Sequence, residues 1–82
     1  MNPEQLLALL GWIPQEEWQR RSVSDLVRVL SARADAVETR RWFRQPRTSL
    51  GRRTPLEALR LAKGPDDPLL DELQRLALQQ GV

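Results

Sequence analysis

Residues 42–59 read WFRQPRTSLGRRTPLEAL. Two adjacent aromatic residues, Trp42 and Phe43, are followed by a turn that is framed by Pro46 and Pro55 and contains several arginines. Proline cannot continue a helix, because it lacks the amide hydrogen and its ring clashes with the preceding turn, but it suits a first helical position. The stretch therefore predicts a helix that stops at Pro46, a tight connection, and a new helix that starts at Pro55.

The connection carries two further local signals. Thr54 at the N-cap and Glu57 three residues later complete a capping box around Pro55. Gly51 is expected to supply a positive φ that other residues resist. Leu50 is expected to be buried and to anchor the loop within a hydrophobic cluster, whose other members are Trp42, Phe43, Leu56 and Leu59.

The N-terminal third predicts short helices. Asn2, Pro3 and Gln5 form a helix start with a capping box, and Gly11 ends that helix. A second short helix is expected from Pro14 to Arg21, and the Ser22 and Asp25 pattern predicts a third. Trp12 and Trp18 are expected in the core.

The rest of the chain follows the same pattern. A break is expected between Ser31 and Asp35, then a helix from Ala36 to Gln45, although one long helix remains an alternative. Asp67 and Pro68 start a last amphipathic helix that ends at Gly81. No segment alternates with the period of a strand, so the sequence predicts an all-α fold, a compact bundle of five or six short helices. The expected organisation is an N-terminal helical segment, residues 1–35, and a helical domain, residues 36–82.

Composition excludes several classes of function. The 82 residues include no cysteine and no histidine, which removes thiolate nucleophiles, imidazole acid–base catalysis and the usual zinc ligands. No catalytic residue, metal site or cofactor is predicted, and the protein is not expected to be an enzyme. No apolar run approaches the roughly 20 residues that span a bilayer, and the N-terminus lacks a basic signal region. We expect no membrane association and a cytoplasmic location.

The run W-F-x-x-P-x-x-x-L-G-x-R-T-P-L-E-x-L, from Trp42 to Leu59, resembles the signature of the Xre/MbcA/ParS toxin-binding domain of bacterial antitoxins. In that family a helix ends in Trp-Leu, a Pro-Asn turn follows, and Leu-Gly-Gly-Arg-Thr-Pro-Leu opens the next helix. The resemblance covers residues 36–82. Arg47 stands where the family prefers Asn, and Arg52 stands where it prefers the second Gly.

The resemblance implies the antitoxin of a type II toxin–antitoxin pair, which binds and occludes the active-site cleft of a RES-domain toxin, an enzyme that degrades NAD. In the family the C-terminal end contributes to this occlusion. Carried over to this chain, the candidate partner-binding residues are Arg47, Arg52 and Arg53 in the loop and Gln79, Gln80, Gly81 and Val82 at the end. Of these, only Arg53 matches a side chain of the family motif.

Two other functions stay open on the sequence alone. Clustered arginines beside aromatic residues can contact phosphates and stack on bases, and the candidates for nucleic-acid contact are Arg40, Arg41 and Arg44. An adaptor that binds another protein is the second alternative. Residues 1–35 are too few for the usual helical DNA-binding domain, so they are expected to be a helix-turn-helix remnant or a dimerisation element that makes a homo-oligomer.

Overall fold

The computed structural model describes residues 2–79 of the chain. Within that range there are five α-helices and no strand, which confirms the predicted all-α bundle. The helices are α1 (Pro3–Leu10), α2 (Glu17–Ser31), α3 (Ala36–Arg44), α4 (Pro55–Leu61) and α5 (Pro68–Gln79), with a 3-10 turn at Thr48–Leu50.

Helix α1 begins and ends as its sequence predicts. The side chain of Asn2 accepts a hydrogen bond from the backbone N–H of Gln5 (2.8 Å), and the Gln5 side chain accepts one from the Asn2 backbone (3.4 Å). At the other end Gly11 has φ 71°, a left-handed conformation that glycine adopts without steric penalty. Leu6 and Leu10 face the core.

Helix α2 differs from the prediction. The chain forms one helix from Glu17 to Ser31 instead of two that meet at Ser22, and Pro14 precedes this helix without opening it. A capping interaction explains why α2 starts at Glu17: the Gln19 side chain accepts hydrogen bonds from the backbone N–H groups of Gln15 and Glu16 (3.2 Å each). No proline or glycine follows before the end, so a continuous helix can bury its apolar stripe, Val23, Leu26, Val27 and Leu30.

The expected core positions of two tryptophans are also wrong. Trp12 and Trp18 are both half-buried, and Trp12 packs against the edge of the core. Trp12 lies in the connection between α1 and α2, and Trp18 lies in the first turn of α2, so both residues are at the edge of the bundle and not in its centre.

Helix α3 follows a break at the predicted place. The side chain of Asp35 accepts a hydrogen bond from the backbone N–H of Glu38 (2.8 Å) and so caps the new helix, which the sequence pattern favours over one long helix. The helix ends at Arg44, one residue before the predicted Gln45 and two before Pro46.

Helices α4 and α5 are joined by one carboxylate. The predicted capping box of Thr54 and Glu57 is present at the start of α4. Asp67 then accepts from the backbone N–H of Leu69 in α5 and from that of Lys63 after α4 (2.9 Å each). These two hydrogen bonds hold the pKa of Asp67 below its ordinary value, and the bond from Leu69 makes the larger contribution.

One cluster of buried residues contains members of all five helices, so the described parts of the two predicted segments, residues 2–35 and 36–79, share a core. Helix α2 contacts α1, α3 and α5. The largest side chains in the cluster are Trp42 and Phe43, whose rings meet edge to face with centroids 5.0 Å apart. Leu50 and Leu59 are buried in the same cluster as predicted, and Leu56 packs against it half-buried.

Candidate partner-binding surface

The loop between α3 and α4 is a closed turn. The backbone N–H of Arg47 donates to the carbonyl of Arg53 (3.0 Å), and the N–H of Arg52 donates back to the carbonyl of Arg47 (2.9 Å). Leu50 lies between them in the 3-10 turn and is 2 % exposed. The loop ends are thus tied together while its middle is anchored in the core, so residues 47–53, here called the arginine loop, have a defined shape.

Two consecutive residues of the arginine loop are left-handed. Gly51 has φ 67°, as predicted, and Arg52 has φ 68°. Arg52 has the only positive φ among the non-glycine residues between 2 and 79. For a residue with a Cβ this conformation is strained by about 1–2 kcal/mol, because the Cβ approaches the neighbouring carbonyl oxygen. The sequence identifies Arg52 as a departure from the family motif but carries no signal for its backbone conformation.

The guanidinium groups of the loop differ in exposure. Arg47 is half-buried, with its guanidinium carbon 5.7 Å from the centroid of the Trp42 ring and one nitrogen 3.3 Å from the side-chain oxygen of Gln45. Arg52 and Arg53 are exposed. The structure therefore divides the three predicted loop arginines into one that packs on the core and two that face solvent.

Helix α5 lies against the 3-10 turn of the arginine loop. Glu72 of α5 forms a salt bridge with Arg75 (2.5 Å), and this hydrogen bond lowers the pKa of the Glu72 carboxyl, with a smaller contribution from the hydroxyl of Ser49 in the loop. Glu72 thus has a basic partner in its own helix.

Three more arginines belong to α3. Helical spacing places Arg41 and Arg44 on the outer side of α3, opposite its buried side, and Arg40, which is half-buried, at its flank. Arg44 also donates to the carbonyl of Leu9 at the end of α1 (3.2 Å), where helix carbonyls lack intrahelical partners. Val37 shares this outer side and is 64 % exposed. Sequence reasoning identified the arginines but missed the contact between Arg44 and α1, which joins residues 35 positions apart.

Charge is concentrated in the middle of the chain. Residues 36–63 contain eight basic and two acidic residues. Within the described range, no carboxylate lies within 4.0 Å of any of the six arginines between positions 40 and 53, and the salt bridges there join Asp25 to Arg28 and Glu72 to Arg75. These six arginines of α3 and the arginine loop thus carry positive charge that an acidic partner could neutralise.

The predicted C-terminal part of the site is described only at its start. Gln79 is the last residue of α5 and is exposed. Gln80, Gly81 and Val82 lie outside the described residues. Near this end, Arg33 donates to the carbonyl of Leu78, a contact for which the sequence carried no signal because the residues are 45 positions apart.

Over residues 2–79 the acidic side chains form no group of three that could hold a metal ion. None of the helices described is long and apolar enough to cross a membrane. Comparisons with protein-family models, with curated proteins and with solved structures find nothing that matches this chain.

Proposed function

We propose that this protein is an antitoxin that binds and occludes a RES-type NAD-degrading toxin, and that the arginine loop forms part of its contact surface. The proposal starts from the resemblance of Trp42 to Leu59 to the toxin-binding signature. It is supported by three features of the structure: the backbone of the loop, the absence of carboxylates close to its arginines in the part of the chain that the structure describes, and the division between packed and exposed guanidinium groups.

The backbone of Arg52 carries the proposal. The family motif prefers a second glycine at this position, and a glycine there would adopt a positive φ without strain. Arg52 adopts this conformation, φ 68°, although it bears a long charged side chain. The loop shape is thus compatible with the motif in spite of the substitution. Strained backbone of this kind tends to occur where a side chain has a functional role, here the display of a guanidinium to solvent.

The chemistry of the arginines indicates the kind of contact. A site that accepts the diphosphate of NAD is expected to hold basic groups of its own, so arginines that entered it would meet like charge. Carboxylates and carbonyl oxygens at the rim of the cleft are better partners, since guanidinium binds a carboxylate through two parallel hydrogen bonds. Arg52 and Arg53 are exposed and suited to such rim contacts.

Co-expression with a RES-type toxin tests the function directly, and the toxin of choice is one encoded in a neighbouring reading frame. Growth should be rescued, the purified proteins should form a complex, and NAD hydrolysis by the toxin should fall as the protein is added. Deletion of Gln79 to Val82 tests the proposed C-terminal contribution, and this variant should fold yet neutralise less well. A purified protein that captures DNA but no toxin would refute the proposal.

Nucleic-acid binding is the second candidate, favoured by the outer side of α3. Arg41 and Arg44 are exposed there beside half-buried Arg40, and guanidinium groups on one side of a helix can contact successive phosphates. Four to six phosphate contacts would make log affinity fall steeply and linearly with log salt concentration. Fluorescence anisotropy with labelled duplex and single-stranded DNA at several salt concentrations measures that slope. A pull-down that captures a different protein would instead favour the adaptor.

A further inference from the structure

An open groove of about 1010 Å³ runs between α1 and α2, on a surface separate from the arginine loop. Leu7, Trp12 and Ile13 form its apolar part, and charged residues of α2 line one wall. Ile13 is 80 % exposed, the most exposed of the large hydrophobic residues described. An exposed isoleucine beside a half-buried tryptophan indicates a surface that a partner covers.

The charges on the outward side of α2 alternate. Glu17, Arg21, Asp25 and Arg28 line the groove, and a rotation of about 100° per residue puts them on one stripe. This stripe lies opposite the buried side of the helix. From the N-terminus to the C-terminus of α2, this stripe therefore presents negative, positive, negative and positive charge, and Arg20 lines the groove beside it.

Pairing within the helix only partly accounts for this pattern. Spacings of three or four residues allow such side chains to pair along a helix. Within this stripe only Asp25 and Arg28 approach each other, at 4.0 Å, and their side chains are 46 % and 79 % exposed. Over residues 2–79, no oppositely charged group lies within that distance of Glu17 or Arg21. The charges of the stripe remain accessible to a partner.

Reversing the direction of the helix inverts the order of its charges. We propose that a second copy of this chain covers the groove, with the two α2 helices antiparallel about a two-fold axis near residue 23. In this arrangement Glu17 faces Arg28 of the second copy, and Arg21 faces Asp25 of the second copy. The symmetry repeats both contacts, which gives four ion pairs across a self-complementary interface of the kind that two-fold dimers require.

The same arrangement covers the exposed apolar residue. Ile13 lies at the end of the groove where Glu17 begins α2, so it meets the opposite end of the second copy's groove, near Arg28. Burial of Ile13 and of the open side of Trp12 supplies the hydrophobic contribution, and the four ion pairs determine the relative direction of the helices. Charge complementarity thus selects a second copy as the occupant.

Sedimentation equilibrium of the whole protein over a wide concentration range tests the dimer. In the Arg21→Glu variant the new glutamate faces Asp25 of the other copy. The two-fold symmetry repeats this contact, so the interface contains two pairs of like charges. Asp25→Arg does the same with the opposite sign. Each variant alone should have a dimer dissociation constant raised at least ~10-fold, because like charges in register oppose association.

Mixing the two variants is the decisive experiment. In a mixed dimer the acid at position 21 of one copy faces the new arginine at position 25 of the other, and Asp25 faces the unchanged Arg21. The equimolar mixture should therefore recover dimers, all of them mixed, which native mass spectrometry identifies by mass. Neither variant can restore pairing within the other's helix, so recovery reports contacts between copies alone.

Arg60→Glu, an exposed change of the same charge on α4, is the control and should leave dimerisation unaltered. Circular dichroism verifies the fold of each variant, and Arg21→Gln, which removes charge without reversing it, replaces any variant that unfolds and should itself raise the dissociation constant. A wild-type monomer at every concentration, single variants that dimerise like wild type, or a mixture that stays monomeric would each overturn the proposal.

Discussion

The guanidinium of Arg47 lies over the indole ring of Trp42, its carbon 5.7 Å from the ring centroid. Trp42 is 1 % exposed, so the arginine covers one of the largest side chains of the core at the point where the arginine loop begins. The positive charge is attracted to the electron-rich face of the ring, and the aliphatic stem of the arginine shields the ring from water. Arg47 thus joins the loop to the core, in contrast to its exposed neighbours Arg52 and Arg53.

We expect Arg47→Ala to lower the free energy of unfolding by roughly 0.5–1 kcal/mol from loss of the cation–π contact, with further loss from packing. Arg53→Ala, an exposed change in the same loop, is the control and should stay within about 0.5 kcal/mol of wild type. Urea denaturation measures both. Equal stability of the two variants would mean that the stacked arrangement contributes nothing in solution.

Arg52→Gly should stabilise the protein by up to about 1 kcal/mol. The change relieves the strain of a left-handed residue with a Cβ, partly offset by the greater conformational freedom of glycine in the unfolded chain. For a domain of this size the melting temperature should rise by up to roughly 4–8 °C. Arg53→Gly should instead destabilise, since Arg53 has no positive φ to relieve. A melting temperature for Arg52→Gly below that of wild type would contradict the inference that the backbone of Arg52 is strained.

Thr54→Ala should cost about 1 kcal/mol, because its hydroxyl accepts the hydrogen bond from the backbone N–H of Glu57 (3.1 Å) at the start of α4. Thr54→Ser keeps the acceptor and should retain most of the stability. Thermal unfolding of both variants distinguishes the lost cap from any general effect of the substitution. If serine and alanine are equally destabilising, the capping hydrogen bond is not the cause.

The decrease in the free energy of unfolding at acidic pH should depend in part on Asp67. Its folded pKa is lower than its ordinary value of 3.8, because the backbone N–H groups of Leu69 and Lys63 stabilise the carboxylate. The stabilisation is therefore complete above that value and is lost as pH falls through the lower folded pKa. The Asp67→Asn variant has no carboxyl group at this position, so its free energy of unfolding should decrease less than that of wild type as pH falls through this range.

Denaturant unfolding at a series of pH values between neutral and strongly acidic measures the difference between Asp67→Asn and wild type. Asp66→Asn removes the same charge from the adjacent exposed position and serves as the control. A stability curve for Asp67→Asn that runs parallel to wild type through the acid range would contradict the prediction.

Arg52→Glu combined with Arg53→Glu should slow association with the proposed toxin on the order of tenfold at low salt and leave dissociation less affected, since exposed rim charges mainly steer encounter. Surface plasmon resonance at two salt concentrations separates the rates. Arg60→Glu with Lys63→Glu changes the net charge equally, in the last turn of α4 and just after that helix, and is the control. A faster dissociation rate with unchanged association would place the arginines in desolvated ion pairs instead.

Local signals in the sequence were sufficient for most of the helix boundaries. Asn2, Asp35 and Thr54 cap helices where the pattern predicted, because a capping side chain and the N–H it accepts from lie three residues apart. The positive φ of Gly51 was likewise predictable from the residue type, because glycine has no Cβ to clash in that conformation. The same reasoning failed at Ser22, where a local capping pattern lies inside α2: the burial of a continuous apolar stripe outweighed it.

Only the tertiary structure decided which charged residues remain available to a partner. In the sequence Arg44, Arg47 and Arg52 belong to one run of arginines, and nothing there indicates what each guanidinium contacts. Folding places Arg44 on the carbonyl of Leu9 and Arg47 on Trp42, and it leaves Arg52 exposed on a strained backbone. The contact with Leu9 joins residues 35 positions apart, a separation at which pattern and propensity carry no information. A side chain's local environment depends on where the other helices pack, and that is determined by the burial of the whole core.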